Sequence, residues 1–256
     1  MTDVMARVRK HYERAVQHYG EDAVFGVFHY GSWNYGTNLP DSDVDTKCIL
    51  IPDLYHLAIK PYETKHLHVD DEVCECMTVM HMVANWKKQN INFLEIMSTC
   101  YFKVNPNYED WWAVDEEPDS EANYPLTQFW AERVARYDIA AAVKSMAHQA
   151  INTLKRNPGD LKAITNGARI AKALSQLTDK EYRPYDVCIR ATKAIAGIRT
   201  GETPISAEYV DDLIGFFDAL LVREEEGLYP PNPDKDVIDD YLNHFILDLI
   251  QRRMSF

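Results

Sequence analysis

The chain has 256 residues, a formal net charge of −13, and 46% hydrophobic and 26% charged residues. That is an ordinary globular composition, long enough for one large domain or two small ones. The acidity argues against a general nucleic-acid coat protein, and no apolar run or signal-peptide core argues for a membrane or secreted one.

In chain order, Thr2 to His18 predicts an amphipathic helix, because Val4, Val8, Tyr12 and Val16 recur every four residues. A strand follows over 22–30, then a polar loop, then an apolar, β-prone strand over 44–51 that stops at Pro52. A helical turn is expected over 53–59, a strand over 64–69 and a turn at Asp70-Asp71. Residues 72–79 read as a strand handing over to a helix that Thr78 caps and that runs to Lys88. A second helix covers 91–99, with Phe93, Leu94 and Met97 on its apolar side.

From Glu121 onward the pattern is helical almost throughout. One or two helices span 126–154 and end at Asn157-Pro-Gly; Asp160 caps a helix to about Leu177. Further helices are expected over 186–198, closed by Arg199-Thr-Gly201, and from a Ser206 cap through Leu221. Leu228 to Asp234 is a loop, and Asp234 or Asp236 opens the last helix. Residues 144–199 carry eleven Lys and Arg against four Asp and Glu, a local +7 that leaves −20 for the rest of a chain at −13. Such a segment suits a triphosphate or polynucleotide, a solvated face, or docking on the acidic half.

The five cysteines show no disulfide-framework spacing, which fits a reducing, cytoplasmic setting. Cys74-x-Cys76 has no second pair at zinc spacing and reads as core packing; His66-x-His68 likewise lacks partners for a site.

The chemistry concentrates at residues 30–51. Gly31-Ser32 closes the first strand, and Asp43-Val44-Asp45 opens the next after ten intervening residues. Residues two apart on a strand share a face, so Asp43 and Asp45 project together while Val44 turns to the core. A Gly-Ser turn offers amides and a hydroxyl to phosphate oxygens, and paired aspartates suit Mg²⁺ against a triphosphate. A polar hairpin loop would also explain Pro40-Asp-Ser-Asp43, but not the Gly-Ser turn at this distance.

The string Tyr-Gly-Ser…Tyr-Gly-Thr…Pro-Asp-Ser-Asp-x-Asp over 30–45 resembles the signature of the DNA polymerase beta-like nucleotidyltransferase superfamily, and its predicted bacterial and phage branch in particular. The resemblance implies an α+β fold: a small mixed β-sheet core with flanking helices over 1–118, then an all-α helical domain over 119–256. It implies an enzyme that uses Mg²⁺ or Mn²⁺ to transfer a nucleoside monophosphate from an NTP to an acceptor hydroxyl. It also implies a third carboxylate on a neighbouring strand, as general base and metal ligand. Glu75 is the candidate, although relatives often carry Asp there, and Glu72 is the weaker choice. Asn92 and Glu95, three apart on one helical face, resemble an Asn-x-x-Glu element read here as structural.

Lys162, Asn166 and Arg169 form a polar stripe on helix 160–177, opposite an apolar surface of Leu161, Ile164, Ala168, Ala171 and Leu174. It resembles the stripe that related enzymes turn toward the NTP phosphates. Gly167 within the helix signals close packing or ligand approach. Lys144 and His148 are weaker candidates of the same kind. On this reading Gly31, Ser32, Lys162 and Arg169 bind the nucleotide, while Asp43, Asp45 and Glu75 are catalytic and hold the metal. The acceptor stays open among RNA, tRNA, a small molecule or a protein receiving AMP. A non-catalytic nucleotide-binding regulator is the rival from another class.

Overall fold

In the computed structural model, residues 4–60, 62–111, 128–179, 190–206 and 208–255 are described. The fold is mixed α+β. The chain opens with α1 (Val4–Tyr19), β1 (Val24–His29), the single-turn α2 (Ser32–Tyr35), β2 (Thr46–Leu50) and α3 (Leu54–Ala58). It continues with β3 (Lys65–Val69), β4 (Glu72–Thr78), α4 (Val79–Lys87), α5 (Ile91–Leu94) and β5 (Phe102–Val104). After these come α6 (Gln128–Ala135), α7 (Ile139–Arg156), α8 (Leu161–Leu177), α9 (Lys193–Thr200), α10 (Tyr209–Glu225) and α11 (Lys235–Arg253).

The five strands order as β3-β4-β2-β1-β5. The β2–β4 pair is parallel, and β1–β2, β1–β5 and β3–β4 are antiparallel. Alternation sorts β2 and β4 onto two faces. Cys48, Leu50, Cys74 and Cys76 pack with Val4, Val8 and Ala15 of α1, while Ile49, Ile51 and Met77 join the helical layer. In β1 the register shifts between Val24 and Gly26, and the bulge puts Val24 and Val27 on the α1 face with Phe25 and Phe28 opposite. Strict alternation would have split those pairs. Cys74-x-Cys76 is thus core, and His66 and His68 are exposed.

The helical layer shares the core of the sheet. Phe245 of α11 meets Phe25 of β1 at 5.7 Å between ring centroids and lies 6.5 Å from Trp86 of α4. The expected division at residue 118 lies outside the described residues. Gly167 allows α8 to approach α7: a Cβ there would stand 3.1 Å from the Leu154 side chain, so the packing reading of that glycine holds. Among the described residues no helix is long and apolar enough to cross a membrane.

Several expected elements differ in detail. The helix over 91–99 is α-helical only to Leu94 and continues as a 3-10 turn over Glu95–Ser98. Residues 190–192 are not helical; α9 starts after Thr192, whose side chain caps it by accepting from the Ile195 N–H. The 186–189 part of that expected helix lies outside the described residues. Ser206 is not an N-cap, since α10 begins at Tyr209 after Glu208, with no side-chain cap. Strand β5 had no counterpart in the sequence reading.

Candidate active site

The Asp43–Asp45 segment precedes the regular hydrogen bonding of β2, yet the strand parity already holds there. Val44 is fully buried, and Asp43 and Asp45 are exposed on the face turned toward the helices. The backbone between them is held at several points. The Tyr30 N–H and the His29 Nδ1–H both donate to the Asp45 carbonyl, at 3.1 and 2.8 Å. The Val44 N–H donates to Glu72 Oε1 at 2.8 Å, and Arg7 Nη1 donates to the Ser42 carbonyl at 3.4 Å. Arg7 is also ion-paired with Glu72, whose second oxygen lies 3.3 Å from His11 Nε2. His11 Nδ1 completes the set with Thr46 Oγ1 at 2.7 Å. Burial lowers both histidines to about 4, with Arg7 reinforcing the effect; at neutral pH the clamp works with uncharged rings.

The Gly31-Ser32 turn is built on a backbone that favours glycine. Gly31 has φ 105° and ψ −156°, a region populated almost only by glycine. Its N–H donates to Glu95 Oε2 at 3.3 Å, and the Tyr35 hydroxyl donates to the same oxygen at 3.1 Å. Asn34 anchors the far side, donating to the His29 carbonyl at 3.0 Å and accepting from Thr99 Oγ1 at 2.7 Å.

Between this turn, the aspartates and α8 lies a cleft of about 470 Å³, within the range of small-molecule sites. Gly31, Ser32, Asp41, Asp43 and Asp45 line the sheet side; Asn157, Asp160, Lys162, Asn166, Arg169 and Arg199 line the helical side. Although Asp45 is open to the cleft, the surrounding walls partly desolvate its carboxyl and, with its neighbour Asp43, raise it against the opposing pull of Lys162 and Lys47. Asp45 therefore senses Lys162 across the cleft.

The structure brings Gly31, Ser32, Asp43, Asp45, Lys162 and Arg169 to one cleft, and the expected roles of Gly31, Arg169 and Glu75 change. Arg169 is only 2% exposed and is committed to Glu95, with Nη1 3.1 Å from Oε1. Glu75 shares the parity of Asp43 and Asp45 but does not line the cleft; it pairs with the buried Lys47 opposite it in β2. Two contributors escaped the sequence reading. Arg199, half-buried at the end of α9, looked only like part of a helix C-terminus. Glu72, the weaker choice for the third carboxylate, instead holds the Val44 amide. Lys144 and His148 do not line the cleft: Lys144 lies 4.0 Å from Glu224, and His148 Nδ1 contacts the Lys144 carbonyl.

Among the described residues no group of three or more His, Cys, Asp and Glu side chains is placed to hold a metal ion. Asp43 and Asp45 alone form a two-carboxylate donor set. Mg²⁺ is commonly held in that manner, with substrate phosphates and water completing its shell. Asp45 is raised by desolvation and by the charge of Asp43, and a divalent cation held by the two carboxylates would offset that charge, so the pair fits such an ion. Glu75 does not extend the set.

No protein-family model matches the chain, and no curated protein matches it.

Proposed function

We propose that the chain is a metal-dependent nucleotidyltransferase that moves a nucleoside monophosphate from an NTP to an acceptor hydroxyl. The observation that carries this reading is the placement of Asp43 and Asp45 across a cleft from Lys162, beside the Gly31-Ser32 turn. Phosphoryl transfer asks a protein mainly for charge neutralisation and alignment, and these residues supply both signs of charge at one place.

Asp43 and Asp45 would hold Mg²⁺ or Mn²⁺. The ion, when bound, neutralises the triphosphate and lowers the pKa of a coordinated hydroxyl. The Ser32 hydroxyl and the Lys162 ammonium contact the phosphates, with Arg199 a second cation on the same wall. The Gly31 amide is not a phosphate donor in this arrangement, because Glu95 already accepts it. The acceptor oxygen forms a bond to the α-phosphorus as the bond to pyrophosphate breaks, and pyrophosphate leaves with the electron pair. The acceptor proton departs to a cleft carboxylate or to solvent.

The test offers α-labelled NTPs with Mg²⁺ or Mn²⁺ to RNA, tRNA, DNA, proteins and aminoglycosides, and follows the label. Label on one acceptor class, with pyrophosphate released, supports the reading and identifies base and acceptor together. NTP binding without pyrophosphate release from any mixture contradicts it and leaves a nucleotide-binding regulator.

A further inference from the structure

Behind the cleft wall that Arg169 helps to line lies a buried ion pair that substrate does not need to reach. Glu95, in the 3-10 turn after α5, is fully buried, and Arg169 of α8 is nearly so. Glu95 Oε2 accepts from the Gly31 N–H at 3.3 Å and from the Tyr35 hydroxyl at 3.1 Å. Glu95 Oε1 lies 3.1 Å from Arg169 Nη1. The guanidinium carbon of Arg169 sits 3.7 Å from the centroid of the Tyr35 ring, and its Nη2 donates to Asn166 Oδ1 at 2.8 Å. Gly31, Tyr35, Glu95 and Arg169 thus close a ring of contacts that joins α8 to both ends of the turn carrying Ser32.

From this ring we infer that Glu95 and Arg169 are positioning residues that carry the placement of α8 into the Gly31-Ser32 turn. The inference rests on the nucleotidyltransferase reading for its consequence in catalysis, but the positioning itself is a property of the fold. Stability alone is a poor reason for such a pair. Burying two charges costs desolvation that their attraction only about repays, and well-packed apolar replacements are often as stable. What the pair adds is geometry. The carboxylate has one oxygen for the turn and one for α8, and the flat guanidinium both stacks on Tyr35 and reaches Glu95. The stripe residues Lys162 and Asn166 lie on the same helix, so the same contacts set the distance between Ser32 and Lys162 across the cleft. Asp43 and Asp45 are held separately, by Glu72, Arg7, His11 and His29.

The test compares wild type with Arg169→Met and with the double variant Glu95→Gln/Arg169→Met. The single variant leaves a buried carboxylate without its cation and loses stability; the double variant removes both charges and regains it. Three readouts are taken: the thermal midpoint, amide hydrogen exchange of the peptide spanning Gly31 to Tyr35, and NTP transfer at varied NTP with Mg²⁺. The expected result is a double variant whose midpoint is near wild type, whose turn exchanges about tenfold faster, and whose KM for NTP rises by about 10- to 100-fold. A double variant with wild-type exchange in that peptide overturns the inference, because the pair then serves stability alone. Absence of transfer by wild type sinks the functional reading and leaves the exchange result to decide the positioning role.

Discussion

Lys47 and Glu75 stand opposite each other across the parallel β2–β4 pair and form an ion pair on the face turned toward the helices. Lys47 is 3% exposed and also lies over the rings of Tyr30 and Phe93, at 4.1 and 4.6 Å from their centroids. An ammonium so enclosed depends on its carboxylate. Glu75→Gln therefore costs about 3 kcal/mol of unfolding free energy, measured by urea titration, since it strands a buried charge. Because Glu75 lies outside the cleft lining, the Mg²⁺ dependence of transfer stays as in wild type. A changed Mg²⁺ dependence in a variant of unchanged stability would return Glu75 to the metal site.

Glu72 supports the cleft aspartates Asp43 and Asp45 from behind. Its Oε1 accepts the Val44 N–H at 2.8 Å, between Asp43 and Asp45 in the chain. Glu72→Ala orphans that amide and removes the partner of Arg7, at a cost of about 2 kcal/mol. Transfer falls with it, while Glu72→Gln keeps an acceptor for the amide and retains most of both. Denaturant midpoints and transfer rates of the two variants, measured side by side, check this ordering.

Gly31→Ala isolates backbone strain from crowding. A Cβ at this position would meet nothing within 4 Å, but φ 105° with ψ −156° is hostile to any side chain. The expected cost is about 1 to 3 kcal/mol, or a turn that relaxes and gives up its bond to Glu95. Thermal unfolding reads the first outcome, and a raised KM for NTP reads the second. Wild-type values in both would contradict the geometry.

Acid should loosen the clamp on the aspartates. His29 and His11 sit at about 4 when folded, below the ordinary 6.5, because burial disfavours their charged forms. A lowered folded pKa means that the unfolded chain binds more protons, so their stabilisation is complete above about pH 6.5 and is lost as pH falls toward 4. The window corresponds to roughly 3 kcal/mol for each ring. Melting curves between pH 7.5 and 4 should show a falling midpoint, with a shallower slope in His29→Asn.

The parts legible in the sequence were those carried by neighbours in the chain. Asp43 and Asp45 share a face by parity, with Val44 between them, and the caps Thr78 and Asp160 both accept bonds from their helix N-termini. Phe102–Val104 is too short for its alternation to register, and it becomes a strand only by pairing with β1. Glu75 followed the parity rule correctly. Its partner was hidden, because the register that sets Lys47 opposite depends on how β2 and β4 pair. Arg169 was placed on the right stripe, but its commitment to Glu95, 74 positions earlier in the sequence, exists only once the fold brings α8 to the 3-10 turn that follows α5.

The central claim is that Asp43 and Asp45 drive nucleotide transfer from this cleft, and Asp45→Asn tests it most directly. Pyrophosphate release and label transfer are measured for wild type and variant at saturating Mg²⁺ and NTP, with circular dichroism to confirm that both are folded. The expected result is loss of about two or more orders of magnitude in transfer by a folded variant, as removal of a transition-state charge partner produces. Undiminished transfer by Asp45→Asn would contradict it.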